Sequence, residues 1–151
     1  MRTKKPKLTP IPKIHKQLYL LCAKLNKEQS DYTCQLCGLK KGDTKPNGKP
    51  VILNSHHLIN RHCSDFLKFH PRNHICLCTS CHKYDLNCSA HKASMEFYHW
   101  YSNQFKDNFE WLLQNKNVKI NLRDRDTLQL IDKELKTELQ KELKSEIPKK
   151  I

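Results

Sequence analysis

The chain has 151 residues, with 28 Lys and Arg against 15 Asp and Glu, a formal charge of +13, eight Cys, nine His and only three Gly. That length suits one domain with appendages, and no stretch is long or apolar enough to span a bilayer. The charge points to a polyanionic partner, most often nucleic acid, rather than to a membrane.

Residues 1–12 hold Arg2, Lys4, Lys5, Lys7 and three prolines with no acid. They are read as a basic disordered arm, since they cannot bury enough apolar surface to fold. A helix is predicted over 13–30, where Ile14, Leu18, Leu21, Cys22 and Leu25 recur at helical spacing. Pro12 suits its first turn, and Cys22 lies on the stripe as a small core residue. The run Leu18–Ala23 faintly mimics a signal peptide. It is too short and runs straight into Lys24, so the expectation is a cytoplasmic protein whose thiols stay reduced.

Residues 31–114 read as a metal-stapled domain. Residues 40–50 form a loop with a turn at Asn47-Gly48. Val51-Ile52-Leu53 reads as a short strand and Ile75-Cys76-Leu77 as a second, with a helix from about Thr79. Met95 to Gln114 reads as helical, its Phe97, Tyr101, Phe105 and Phe109 forming a core row; Asp107 and Glu110 have the spacing to cap a restart. Residues 115–151 read as a linker and a helix from Thr127 to Ile147, capped by Asp126 with Gln129 as its N3 partner. Its row of Ile131, Leu135, Leu139, Leu143 and Ile147 has a period of four, which drifts around a helix of 3.6. That row suits either packing on the chain's own domain or a homodimer contact.

The charge is uneven. Residues 1–30 carry +7, residues 31–106 carry +5 and residues 107–151 carry +1. Every Cys and His also lies before residue 107. Among them, Cys34-Gln-Leu-Cys37 and Cys78-Thr-Ser-Cys81 form two C-x2-C pairs, a spacing that favours a structural zinc. Each pair forms a tight knuckle that aims two thiolates at one ion, and Gly38 permits the turn the first one needs. Such a closed site contributes on the order of 10 kcal/mol to folding and leaves no open position for chemistry. Cys76 fits a packed strand position, and Cys63 and Cys88 are spare. His62, His70, His74 and His99 are read as surface or packing residues. His91 reads as a surface residue, with a place beside a ligand or a phosphate as the alternative.

Between and after the knuckles come Ser55-His56-His57-Leu58-Ile59 and then Pro71-Arg72-Asn73-His74-Ile75-Cys76-Leu77-Cys78-Thr79-Ser80-Cys81-His82. The order Cys-x2-Cys, His-His, Asn, Leu-Cys-x2-Cys-His resembles the HNH endonucleases, over residues 32–92. The resemblance implies an α+β fold. Its core would be a ββα-metal (His-Me) finger stapled by the four-cysteine zinc, with the N- and C-terminal helices on its flanks. It also implies a DNA endonuclease in which His56 and His82 hold a catalytic divalent ion, His57 activates water and Asn73 orients that base. Many members carry Asp where this chain has His56. A site of two imidazoles is softer, so Mn²⁺, Co²⁺ or Ni²⁺ would be expected to serve as well as Mg²⁺.

A second stretch, Asp65-Phe-Leu-Lys-Phe-His-Pro-Arg-Asn73, is similar to one in the lambdoid phage recombination nucleases (the Rap, or NinG, family), although this chain has His82 where that family tends to have Asn. This second resemblance implies branched recombination intermediates such as Holliday junctions as substrate, and a phage protein working in its host's cytoplasm. Lys40, Lys41, Lys45, Lys49, Arg61, Lys68 and Arg72 flank the candidate site and would grip phosphates without reading sequence. No base-reading helix is visible, so selectivity for DNA structure is expected over sequence. Competing readings are a generic HNH nuclease of restriction or packaging type, a non-catalytic zinc-ribbon DNA-binding protein, and a zinc domain that binds RNA.

Overall fold

In the computed structural model the described residues are 8–145. Residues 1–7 of the basic arm and Ile147 lie outside them.

The first helix, α1, spans Ile11–Gln29 with Pro12 in its first turn, as its apolar stripe and proline predict. Leu18, Cys22 and Leu25 are its buried side, and Cys22 is the core residue expected. Two residues in the left-handed region, Asp31 at φ 49° and Tyr32 at φ 47°, turn the chain out of it. Backbone bonds from Tyr32 N–H to Lys27 and from Asp31 N–H to Glu28 hold that turn.

The sheet has two antiparallel strands, β1 (Leu53–His57) and β2 (His74–Cys78). Their register sets Leu53 opposite Cys78, His56 opposite Ile75 and His57 opposite His74. β1 overlaps the expected Val51–Leu53 strand at Leu53 alone. Val51 N–H bonds to Asp43 in the preceding loop, and Ile52 C=O accepts from Thr79 N–H, so the first apolar pair is used before the ladder begins. β2 runs one residue past the expected Ile75–Leu77 at each end. All five of its residues are buried. The helix expected from Thr79 is one π-helical turn, Ser80–Tyr84.

The aromatic run forms two helices, α2 (Ser94–Gln104) and α3 (Lys106–Asn115), broken at Phe105. Asp107 falls in the first turn of α3 and does not cap it. Phe97 and Tyr101 are buried, and the Tyr101 and Phe105 rings stack at 5.0 Å, so the row is core as read.

The last helix, α4, spans Arg125–Ser145. Its cap is Asp124, whose Oδ2 accepts from Thr127 N–H at 2.9 Å and from the Thr127 hydroxyl at 2.7 Å. That corrects the expected Asp126 cap by two residues: Leu128 N–H already bonds to Asp124 C=O, so the helical ladder starts earlier. Leu128, Leu135 and Leu139 are buried in one cluster with Leu18, Cys22 and Leu25 of α1. Ile131 packs at its edge, and Leu143 is 40 % exposed. The four-residue period has rotated Leu143 off the contact.

Two cores result. One surrounds the sheet and includes Cys34, Cys78, Cys81, Phe97 and Leu112. The other joins α1, α4 and Phe69. α1 bridges them, since it also packs on both strands. The architecture is mixed, with helices around one small antiparallel sheet and a four-cysteine cluster. No helix among the described residues is long and apolar enough to cross a membrane.

Candidate functional site

Cys34, Cys37, Cys78 and Cys81 converge, their sulfurs all within 4.8 Å of one another. The first knuckle closes with Gly38 N–H donating to Cys34 C=O at 2.8 Å, and Gly38 takes φ 77°, a conformation a side chain would strain. Cys78 ends β2 and Cys81 lies in the π-helical turn, so one strand-to-turn junction supplies the second pair. Cys37 Sγ and Cys78 Sγ are 3.8 Å apart. Zn–S bonds of about 2.3 Å at tetrahedral angles require S···S of about 3.8 Å, so the cluster could hold a metal such as zinc. Cys76, on the same strand and the same face as Cys78, is fully buried and stands outside the cluster, as expected. Cys63 is exposed and Cys88 half-buried.

The second cluster holds His56, His82 and His91, again with ligand atoms within 4.8 Å of one another. His56 comes from β1, and Phe97 lies beneath it with ring centres 5.9 Å apart. His82 directly follows Cys81. His91 is brought in by the backbone, because His91 N–H bonds to His82 C=O and Ala90 N–H to Cys81 C=O. Buried Ser89 anchors that return: its hydroxyl donates to Asp85 C=O at 2.6 Å and accepts from Lys92 and Ala93 N–H. His82 Nε2 and His91 Nε2 are 3.2 Å apart. His56 Nε2 and His82 Nδ1 are buried and have no hydrogen-bond partner. Burial holds the pKa of His56 down to about 3, helped by the facing His82 and His91, and holds that of His82 down to about 4. Both imidazoles are therefore neutral at pH 7, the protonation state a metal requires.

A cleft of about 560 Å³ opens over this trio, and Ser55, His57, Asn60, Arg61, His62, Ala90 and Tyr98 complete its lining. His57 alternates with His56 along β1 and points to the other face of the strand. Its ring meets Tyr19 at 5.4 Å and His74 at 4.3 Å. It shares the cleft with His82, whose ring neighbours are instead His56 and His91. His57 Nε2 lies 3.2 Å from Lys68 C=O. A carbonyl only accepts, so Nε2 carries the proton and Nδ1 is left with its lone pair.

Asn73 is fully buried and braces the loop that carries Lys68. Its Oδ1 accepts from Ile59 N–H at 2.7 Å, and its Nδ2 donates to Ile59 C=O at 2.9 Å and Leu67 C=O at 3.0 Å. It is linked to His57 only through that loop and has no place in the cleft lining.

The seven candidate phosphate-binding residues are spread out. Arg61 lines the cleft and lies over the Tyr19 ring at 5.5 Å. Lys45 reaches Ser80 Oγ at 3.3 Å, at the π-helical turn. Lys68 Nζ sits 5.6 Å from the Phe69 ring centre. Arg72 is pinned by Asn108 at 2.7 Å and by the Trp111 ring at 4.2 Å. Lys40 pairs with Asp31 at 3.2 Å, Lys41 lies over Tyr32 at 4.9 Å, and Lys49 is exposed on its loop. Of the histidines read as surface or packing, His62 and His99 are exposed, His74 is buried and the His70 ring packs tilted against Trp111 at 4.7 Å.

Sequence reasoning undervalued His91. Nothing in Ser89-Ala90-His91 announces that its backbone pairs with Cys81 and His82. No family model matches this chain, and no curated protein or solved structure matches it either.

Proposed function

We propose that the protein is a metal-dependent DNA endonuclease of the HNH kind. The β1–β2–π-turn unit would be its ββα-metal finger, stapled by zinc. The observation that carries this is the three-imidazole cluster sharing one cleft with a fourth imidazole, His57, of fixed tautomer. Cleaving a phosphodiester requires a base for water and positive charge for the phosphorane-like transition state. His57 Nδ1 is the base. The Lys68 carbonyl on Nε2–H keeps it in the accepting tautomer and stabilises the imidazolium once the proton is taken. His56, His82 and His91 would hold a divalent ion, which when bound supplies Lewis-acid stabilisation of developing phosphate charge. Three nitrogens with no carboxylate favour Mn²⁺, Co²⁺ or Ni²⁺ over Mg²⁺. Arg61, on the cleft wall, binds a phosphate beside the scissile one. The net charge of +13 suits a backbone-binding enzyme, and branched recombination DNA is the substrate class proposed.

The test is cleavage of plasmid and of a labelled four-way junction with each metal, for wild type, His57→Ala and His91→Ala. Wild type should cut the junction faster than linear duplex, and each variant should lose at least about 100-fold. An inactive wild type with every metal would remove the enzyme reading. An active His57→Ala would remove the base.

A further inference from the structure

We infer that the outer face of α1 is a phosphate-binding track for double-stranded DNA, running past the cleft wall, with Lys13, Lys16, Lys24 and Lys27 as its contacts. This rests on the nucleic-acid reading above, extends it to a helix outside the nuclease motif, and has a test that separates the two.

Helical geometry places the four lysines together. At 3.6 residues per turn, positions 13, 16, 24 and 27 fall within an arc of about 80°, opposite the buried Leu18, Cys22 and Leu25. Lys13, Lys16 and Lys24 are exposed or nearly so and Lys27 is half-buried. None forms an ion pair with a described acid; the ion pairs among the described residues are Lys40–Asp31 and Lys136–Asp132. Glu28 is the only acid on α1, and its Oε1 accepts from the Tyr32 hydroxyl. A solvated helix face usually carries both signs, and α4 does: Arg125 and four lysines are matched there by five acids. Two helices packed on each other thus differ in kind, and of the two only α1 carries an excess.

The placement is specific. Tyr19 stands between the buried side of α1 and the lysine row. Its ring edges His57 and lies under Arg61. Lys16 precedes Tyr19 by one turn and is its surface neighbour, so the row passes beside the cleft wall near its midpoint. Lys13 to Lys27 spans about 21 Å along the helix. Phosphates on one strand of a duplex advance about 3.4 Å each along its axis, so the row matches about six of them. An anionic membrane is the poorer partner. A membrane-lying helix must offer its apolar face to lipid, and that of α1 is buried in the core, with Leu20 the single large apolar residue exposed on it.

The experiment measures binding of a labelled linear duplex to the full chain across a salt series, without divalent ion. It compares wild type, the triple variant Lys13→Gln, Lys16→Gln, Lys24→Gln and the control Lys133→Gln, Lys141→Gln, Lys144→Gln on α4, which changes the net charge equally. The slope of log K against log salt should shrink by about 2.7 in the α1 variant, at about 0.9 per lost phosphate contact, and by less than half of that in the control. Equal changes in both variants, or none, would overturn the track. So would an α1 variant that loses binding to phosphatidylserine vesicles while keeping its duplex slope. If wild type shows the lysine-dependent slope yet cuts nothing, the track stands and the nuclease reading falls. If it cuts with an unchanged slope, the reverse holds.

Discussion

The cysteine cluster and the histidine cluster share the π-helical turn after β2 and meet there at adjacent residues, Cys81 and His82, yet one is closed and the other open. Three of the four cysteines are buried, and four thiolates complete a tetrahedron. The histidine trio is half-open, with His91 exposed at the cleft, and three nitrogens leave coordination positions free. A closed set can only hold; an open set can also bind something that comes and goes. The adjacency also couples them. An ion in the cysteine cluster would fix the turn from which His82 projects, and the backbone bonds from residues 90 and 91 to residues 81 and 82 would extend that fixity to His91. Rigid placement of an open site by a closed one is the physical content of the contrast.

The largest effect that could break this contrast is a ligand exchange in each cluster. Cys78→Ser should remove the structural ion and with it on the order of 10 kcal/mol of folding free energy. The far-UV circular dichroism of the purified variant should be that of a largely unfolded sheet core, and a chelator should do the same to wild type. His82→Ala removes a half-buried ring at the cleft. It should leave the unfolding temperature within a few degrees while abolishing metal binding at the open site by calorimetry. A His82 variant as unstable as the Cys78 variant would mean the two clusters are one structural unit.

The closed cluster was the more legible of the two, for a reason that lies in the chain. A C-x2-C pair is local: the knuckle and the Gly38 turn are complete within a few residues. The histidine trio joins three separate segments, and His91 enters through a backbone pairing that leaves no trace in side-chain identity. Helices showed through where a stripe was long, as in Ile14 to Leu25. They failed at ends and breaks, where Asp124 and not Asp126 caps α4. The first strand likewise starts at Leu53 and not at Val51. In both cases backbone hydrogen bonding outranked the side-chain pattern. The aromatic row and the packed Cys76 were readable because burial follows periodicity. The direction of His57 was not. A two-residue alternation places His56 and His57 on opposite faces, and only the end of β1 lets both reach one cleft.

Asn73 gives a sharper cut between holding and reacting, because it touches neither cluster. Asn73→Ala leaves Ile59 N–H and the Ile59 and Leu67 carbonyls without their side-chain partner. The expected cost is about 3 kcal/mol of stability, read by denaturant unfolding with the cysteine-bound metal still in place. If the loop acts on the base, cleavage should fall by more than the stability loss explains, at a temperature where the variant is fully folded. Asn73→Asp keeps the acceptor for Ile59 N–H but faces two carbonyls with a carboxylate, so it should be no better than alanine.

The smallest of these effects concerns His74, which lies under His57 and donates or accepts at Ser55 Oγ at 3.0 Å. Burial, and then the facing His57, His56 and His70, hold its pKa down to about 3 against an ordinary 6.5. The unfolded chain therefore binds a proton that the folded one refuses between those values. Stability should be level above about pH 7 and fall as the pH drops below 6.5, with His74 accounting for about 2 kcal/mol of the loss by pH 5. Acid also strips metal from thiolates, so the wild-type curve alone mixes the two regions of the molecule. His74→Gln separates them: it keeps a neutral polar group at Ser55 and removes the titration, while the cysteine contribution is common to both proteins. Urea unfolding from pH 7 to pH 5 should then show a shallower decline for the variant, by about 2 kcal/mol. Parallel curves would assign the acid response to the metal clusters and the other buried histidines, His57 and His70, and leave His74 as a packing residue alone.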